Sequence, residues 1–138
     1  MATTPNSVIT PQTPNITVGQ TLTTANTAQD GTGSVVTLFT AGADGGKVDA
    51  VRVAYTGSTV QTVLKLFINN GSTNTTAANN ALLTSIIIPA NTMTSQISSA
   101  ADIYTPIGIT LPGNWKLMAC IGVTIANPIS VIATGGNL

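Results

Sequence analysis

Residues 115–125 read WKLMACIGVTI, and every second side chain in this stretch is apolar. Successive side chains of a β-strand point to opposite faces of the sheet, so an alternation of period two is typical of a strand with one buried face. The apolar face comprises Trp115, Leu117, Ala119, Ile121, Val123 and Ile125. Because a Pro-Gly-Asn turn signal precedes the stretch, it predicts a strand that begins directly after a turn.

Outward from this strand, six further stretches are rich in β-branched and aromatic residues, as strands are. They are residues 34–40, 47–55, 60–69, 81–89, 104–111 and 129–133. The second and third are joined by Thr-Gly-Ser at 56–58 and predict a hairpin. In the fourth, residues 86–88 are three successive isoleucines, which predicts burial on both faces or an interface. Seven short strands without a helical pattern predict an all-β fold, an antiparallel β-sandwich of jelly-roll-like type.

Residues 1–32 differ from the rest because they combine three prolines with many Thr and Asn residues. Proline removes a backbone donor and favours extended backbone before it. We therefore expect an extended N-terminal arm over 1–32, with at most a short edge strand at 16–22, and a sandwich body over 33–138. Fully extended, the arm could reach on the order of 100 Å onto neighbouring subunits; the alternative is an arm folded back on its own domain.

The sequence predicts that the apolar side chains and prolines of the arm contact neighbouring subunits. The candidate residues are Ile9, Pro11, Pro14, Ile16, Val18 and Leu22. An arm of this kind would add strands to the sheet edges of its neighbours. On this hypothesis, deletion of residues 2–20 leaves the body folded and abolishes binding to the assembly.

Charge is scarce: the chain has four Lys or Arg and four Asp, no His, no Glu and a net charge of zero. Nucleic-acid binding needs clustered cations, and a membrane-surface helix needs a basic face, so we expect neither partner. The N-terminus has no signal-peptide pattern, and no apolar run is long enough to cross a membrane. A nearly uncharged surface favours association between copies.

Residues suited to catalysis are equally scarce, because the chain has no His, no Glu and one Cys. We therefore expect a protein that is not an enzyme and has no cofactor. Residues 41–48 (AGADGGKV) lack the first Gly and the final Ser or Thr of a phosphate-binding loop. The four Asp residues occupy turn or strand-edge positions, and with no His and one Cys no metal site is indicated. Cys120 has apolar neighbours in the sequence and is expected to be a small buried side chain. Trp115 is expected in the core, while Tyr55 and Tyr104 are candidate interface anchors.

Four stretches of the chain resemble small β-rich structural proteins of tailed bacteriophages and prophages. In order they are KVDAVRVAYTGSTVQTVLKLFINNG at 47–71, LLTSIIIPA at 82–90, ITLPGNWKLMACIG at 109–122 and ISVIATGGNL at 129–138. The resemblance covers residues 47–138 and is similar in character to the head decoration, or cement, class. It implies a non-enzymatic protein on the virion head surface, made in the bacterial host cytoplasm. Its implied partners are the major capsid protein and copies of itself, often as a homotrimer.

Two other functions remain open at this point. A tail or fibre component could use the sandwich to recognise a host surface glycan, which predicts exposed aromatic side chains on one sheet. A structural subunit of a non-viral assembly, such as a surface layer or filament, fits the composition as well.

Overall fold

The computed structural model describes residues 11–138. Nine strands and one short 3-10 turn (Ala77–Asn79) make up its regular structure. The strands are β1 (Thr13–Ile16), β2 (Thr21–Leu22), β3 (Val36–Thr40), β4 (Gly46–Tyr55), β5 (Thr62–Asn69), β6 (Asn80–Ile88), β7 (Ile103–Leu111), β8 (Lys116–Ile121) and β9 (Ile129–Asn137).

The strands form two antiparallel sheets. Sheet 1 has the order β1-β9-β4-β7, with β2 pairing farther along β9, and sheet 2 has the order β3-β8-β5-β6. The chain doubles back at the β5–β6 loop, so that β5 pairs with β6, β4 with β7, β3 with β8, and β1 and β2 with β9. A doubled chain whose successive strand pairs alternate between two sheets is a jelly roll. The predicted antiparallel sandwich is therefore confirmed.

The core lies between the sheets and is built by the predicted alternation. Leu117, Ala119 and Ile121 of β8 are fully buried, opposite side chains such as Val51 and Val131 of sheet 1. Burying one such aliphatic side chain stabilises the fold by about 1.5–3 kcal/mol. The apolar face is shorter than predicted, because β8 ends at Ile121 and the Val123 side chain is exposed.

The predicted hairpin of residues 47–55 and 60–69 is wrong. Strand β4 pairs with β7 and β9 in sheet 1, whereas β5 pairs with β6 and β8 in sheet 2. The link between β4 and β5 therefore crosses from one sheet to the other. Alternation identifies the buried face of a strand but not its partner, and both strands bury that face in the same core.

A second apolar cluster lies on the outer face of sheet 2. It consists of Phe67, Met118 and Cys120, and Val35 packs against it. The segment 25–35 is fastened at both ends of this face: the Asn26 N–H donates to the Ile121 carbonyl, and the Asn74 side chain donates to two carbonyls in the segment. Cys120 is thus buried, as predicted, and burial raises the pKa of its thiol although nearby Lys65 opposes the shift.

Residues 13–26 of the predicted arm lie against the body of the same chain. β1 and β2 both pair with β9, and Ala25 forms a parallel bridge with Ile121. Two side-chain bonds fasten β1 further, because the Asn15 amide donates to the Thr40 carbonyl at 2.9 Å and to Asn137 Oδ1 at 3.0 Å. This part of the segment closes one side of the sandwich.

Candidate interaction surface

The outer face of sheet 1 carries a row of large side chains. The register places Arg52 of β4 between Ile132 of β9 and Tyr104 of β7. In the next row, Ala50 lies between Thr134 of β9 and Pro106 of β7, and Thr134 pairs in turn with Ile16 of β1. We define the Arg52–Tyr104 surface as the outward side chains of Ile16, Arg52, Tyr104, Pro106 and Ile132.

A β-bulge sets the register of this surface. The pairing of β4 with both neighbours shifts between Val48 and Ala50. Against β9, Asp49 is an extra residue in β4, whereas against β7 the extra residue lies in β7, between Pro106 and Ile109. A bulge of this kind re-aims the side chains that follow it. Val48, Val51 and Val53 all point into the core although 48 and 51 differ in parity, and Arg52 consequently points outward.

Arg52 and Tyr104 form a cation–π pair. The guanidinium carbon of Arg52 is 4.8 Å from the centroid of the Tyr104 ring. The planar guanidinium is weakly hydrated and stacks readily on aromatic rings. A charge stacked in this way is held in place on a sheet, so less side-chain freedom remains to be lost on binding.

Beside this pair is a shallow depression of about 210 Å³. Ile103 and Ile132 contribute apolar walls, and Ser130 and Asp102 contribute polar atoms. An apolar depression next to a stacked Arg–Tyr pair matches the composition of protein-interface anchor sites, in which Tyr and Arg are enriched. The volume is that of one or two side chains, which suits the end of a partner segment better than a large ligand.

Asp102 also has a structural role at the edge of the depression. Its Oδ1 accepts a hydrogen bond from the Tyr55 backbone N–H at 3.3 Å. The Tyr55 hydroxyl donates to the Pro89 carbonyl at 2.8 Å, and burial, followed by the Asp102 charge, raises the pKa of that hydroxyl. Of the two tyrosines considered as anchors, Tyr55 is therefore buried and only Tyr104 is exposed.

The structure brings one of the predicted arm residues onto the Arg52–Tyr104 surface. Ile16 is 54% exposed and lies on its β1 margin. Val18 is 75% exposed in the link between β1 and β2, which runs beside β9 because the Val131 N–H donates to the Gln20 carbonyl. Ile16 and Val18, which are exposed aliphatic side chains, are thus among the residues that the sequence predicts to contact neighbouring subunits.

The other predicted arm residues lie elsewhere. Pro14 is exposed within β1, and Pro11 is half-buried against Gly136. Leu22 is 6% exposed and belongs to the chain's own core. Ile9 lies outside the described residues. The surface residues that sequence reasoning missed are Arg52 and Ile132, and the detectable signal was the outward position of Arg52 in an alternating strand.

A second depression, of about 280 Å³, lies at the other sheet. Half-buried Trp115 lines it together with Asn70, Asn79 and Asn80. The amide groups there are largely engaged within the chain: the Asn70 side chain donates to Asn79 Oδ1, and the Asn80 side chain donates to the Asp30 and Asn74 carbonyls. Trp115 also packs against the core, as predicted.

Among residues 11–138, no three Cys, Asp or Glu side chains come together as a possible metal site. None of the helical structure described has the length and hydropathy of a membrane-spanning helix.

No protein-family model and no curated protein sequence matches the chain. Among solved structures, a mutant VP2 protein of infectious bursal disease virus in derived T=1 particles is 19% identical, with a TM-score of 0.37. A structure of the Gx strain of infectious bursal disease virus is 15% identical, with a TM-score of 0.38. Both alignments cover 99% of this chain, but it spans only 35% and 37% of those chains. With scores this low, the fold assignment rests on this chain's own strand order.

Proposed function

We propose that the chain is a non-enzymatic virion structural protein of the head decoration type, which binds the outer phage head and stabilises the shell. The observation that carries the proposal is the Arg52–Tyr104 surface: an outward sheet face with exposed Ile16 and Tyr104 and a stacked, immobilised cation. Rigid aromatic and arginine anchors supply most of the binding free energy at protein interfaces. The resemblance of residues 47–138 to phage structural proteins supports the same function.

The scarcity of charge suits this function. Many copies of a decoration protein sit close together on a shell, and a net charge of zero keeps electrostatic repulsion between them small. Apolar packing and main-chain hydrogen bonds would carry the adhesion, and such contacts depend little on salt. Repetition of a modest contact by the symmetry of the shell then provides avidity. The partners are the major capsid protein and neighbouring copies, with the homotrimer remaining a prediction from the resemblance.

The decisive experiment is reconstitution of purified undecorated heads with the purified protein. We expect saturable binding at hundreds of copies per head, quantified by mass spectrometry against the major shell protein, and a raised temperature of head disruption. Ile16→Ser and Val18→Ser should weaken binding, whereas Val60→Ser, a matched change of an exposed aliphatic residue outside the surface, should not. Absence of the protein from heads and no binding on reconstitution would refute the proposal.

The arm hypothesis needs a sharper deletion than removal of residues 2–20, because that change also removes β1 and the strand pairing it makes with β9. Deletion of residues 2–10 leaves β1 complete. If residues such as Ile9 contact neighbouring subunits, this shorter deletion weakens binding to heads while the melting temperature of the free protein is unchanged.

The second candidate is a tail or fibre component that recognises a host surface glycan. The Trp115 depression with its three asparagine side chains favours it, since sugars pack on aromatic rings and bond to amides. Against it, Trp115 and Tyr104 do not share a sheet, so the structure lacks paired platforms among the described residues. A handful of copies per particle, together with glycan binding that Trp115→Ala abolishes, would establish this candidate. If the protein is absent from every particle, the remaining candidate is a structural subunit of a non-viral assembly.

A further inference from the structure

Strand β6 is an edge strand of sheet 2 and pairs only with β5. Over its nine residues, one row of backbone N–H and C=O groups therefore has no strand partner. Such an edge is a template for pairing with another chain, and natural proteins normally protect it with charges, prolines, bulges or short length.

The other three edges of the described sandwich are protected in these ways. β1 has four residues including Pro14, and β3 has five residues and a register shift. β7 contains Pro106, which has no N–H, and Gly108 in a left-handed conformation with φ of 63°. β6 reads NALLTSIII and contains no charge and no proline; its one irregularity is a bulge at Leu83.

The bulge places Leu82 and Ile87 on the same outer face of β6, with Ser85 between them. Leu82 pairs with Phe67 and Ile87 pairs with Val63, and both partners point away from the core. Without the extra residue, positions 82 and 87 would lie on opposite faces, since their numbers differ by an odd count. Leu82 is 53% exposed and Ile87 is 68% exposed.

We propose that β6 pairs antiparallel with β6 of a second copy across a twofold axis, which joins the two four-stranded sheets into one eight-stranded sheet. In the register centred on Ser85, which pairs with Ser85 of the other copy, Leu82 of each copy lies opposite Ile87 of the other, on the same face, because the bulge at Leu83 removes one step from the ladder. The contact is self-complementary, as a twofold interface must be. Cross-strand pairs of large apolar side chains add to the main-chain hydrogen bonds.

Charge favours a second copy as the occupant. No charged residue lies in β6, and the nearest on this face is Lys65, which pairs with Ser85. The Lys65 residues of two copies would be separated by three strand spacings, about 14 Å, which exceeds the Debye length of about 8 Å at physiological salt. A partner with a strongly charged segment would gain nothing here, whereas an identical neutral strand meets no repulsion.

The test is the oligomeric state of the purified full chain by analytical ultracentrifugation. We expect a dimer for the wild type, in place of the homotrimer that the resemblance implies. We expect Ile87→Lys to raise the dissociation constant at least about 100-fold, because symmetry places the new charge twice opposite an apolar side chain. Ile97→Lys makes the same change at an exposed site outside β6 and should leave the dimer intact. Circular dichroism melting is the check that both variants are folded.

The register has its own test. A mixture of Leu82→Cys and Ile87→Cys chains should form a disulfide-linked heterodimer on mild oxidation, while each variant alone should not, because identical positions lie about 14 Å apart in the proposed pairing. A monomeric wild type, or an oligomer of any size that survives Ile87→Lys, would overturn the inference. Neither outcome bears on head binding, so the decoration proposal stands or falls separately.

Discussion

The guanidinium of Arg52 lies over the ring of Tyr104, 4.8 Å from its centroid, and the two residues are direct partners in the register of β4 and β7. The contact therefore links the centre of sheet 1 to its edge strand on the side that faces away from the core. Stacking leaves the edge of the guanidinium and its N–H donors exposed to a partner. The pair thus combines an apolar ring with directed hydrogen-bond donors in a fixed position.

Replacing either member of this pair should weaken binding to heads. We expect Tyr104→Ala to raise the dissociation constant per site by at least about tenfold, equivalent to 1.4 kcal/mol, because it removes the exposed ring and frees Arg52. Arg52→Lys should lose part of the affinity, since a lysine does not stack as a plane. Binding is measured by co-sedimentation with undecorated heads.

The matched control is Tyr104→Phe, which keeps the ring and the stacking contact. It should bind within about twofold of the wild type, and all three variants should melt near the wild-type temperature, because both side chains are exposed. Equal binding by Tyr104→Ala and the wild type would show that the interface with the head lies outside the Arg52–Tyr104 surface.

The fold class could be predicted because each strand carries its own local signal. Residues 47–55 and 104–111 match β4 and β7 to within one residue. β9 was predicted to end at Ala133, but it continues through Gly135 and Gly136 to Asn137. Glycine weakens a strand pattern, yet here it is required, because a Cβ on Gly135 would lie 2.0 Å from the Lys47 carbonyl oxygen. Close approach of this kind depends on a partner strand that is distant in sequence.

The interaction surface was less predictable for the same reason. Ile16 and Val18 could be chosen from composition, but Leu22 sits in the core although it has the same apolar character. The association of Arg52 with Tyr104 depends on the pairing of β4 with β7 and on the register shift between Val48 and Ala50. Strand pairing between segments about 50 residues apart is set by the whole sandwich and not by local pattern.

Gly135 supplies a direct test of the β4–β9 pairing. Gly135→Ala should reduce the free energy of unfolding by about 3 kcal/mol, because the new methyl group would overlap the Lys47 carbonyl at the position where β4 bulges. Thr134→Ala, at the neighbouring half-buried position on the outer face, should cost under about 1 kcal/mol. Urea denaturation measures both; equal midpoints would contradict this strand pairing.

Asn91 should be the most sensitive polar residue of the link between β6 and β7. Its buried Oδ1 accepts hydrogen bonds from the backbone N–H groups of Ser99 and Ala100 at 3.0 and 2.9 Å and from two serine hydroxyls. Asn91→Ala leaves these donors without their acceptor, so we expect a loss of about 3 kcal/mol in urea denaturation. Asn127→Ala removes one exposed hydrogen bond and should cost under about 1 kcal/mol. Similar losses for both variants would argue against this role of Asn91.

The segment 25–35 should control access to Cys120. The Asn26 side chain holds the shape of the segment, because its amide donates to the Thr32 and Ser34 carbonyls within the segment at 2.9 and 2.8 Å. We expect slow reaction of the native thiol with a disulfide reagent, since Cys120 is buried and its pKa is raised. Asn26→Ala should accelerate labelling at least about tenfold by raising the population in which the segment is open. Asn127→Ala should leave the rate unchanged, and an unchanged rate for Asn26→Ala would exclude the segment as the cover.

The raised pKa of the Tyr55 hydroxyl predicts how the free energy of unfolding falls at alkaline pH. Burial and the Asp102 charge raise the pKa of the Tyr55 hydroxyl above its ordinary value of 10.0, so the folded state holds this proton more tightly than the unfolded chain does. The stabilising contribution is complete below about pH 10 and is lost as pH rises through the folded pKa. Tyr55→Phe should lower the free energy of unfolding at pH 8 by about 1 kcal/mol, because the bond to the Pro89 carbonyl is lost. Above about pH 10, the free energy of unfolding of this variant should decline less steeply than that of the wild type. Both chains should carry Cys120→Ala, because the raised pKa of that thiol adds a loss of the same sign. Parallel stability curves for the two chains would show that the Tyr55 proton makes no difference to folding.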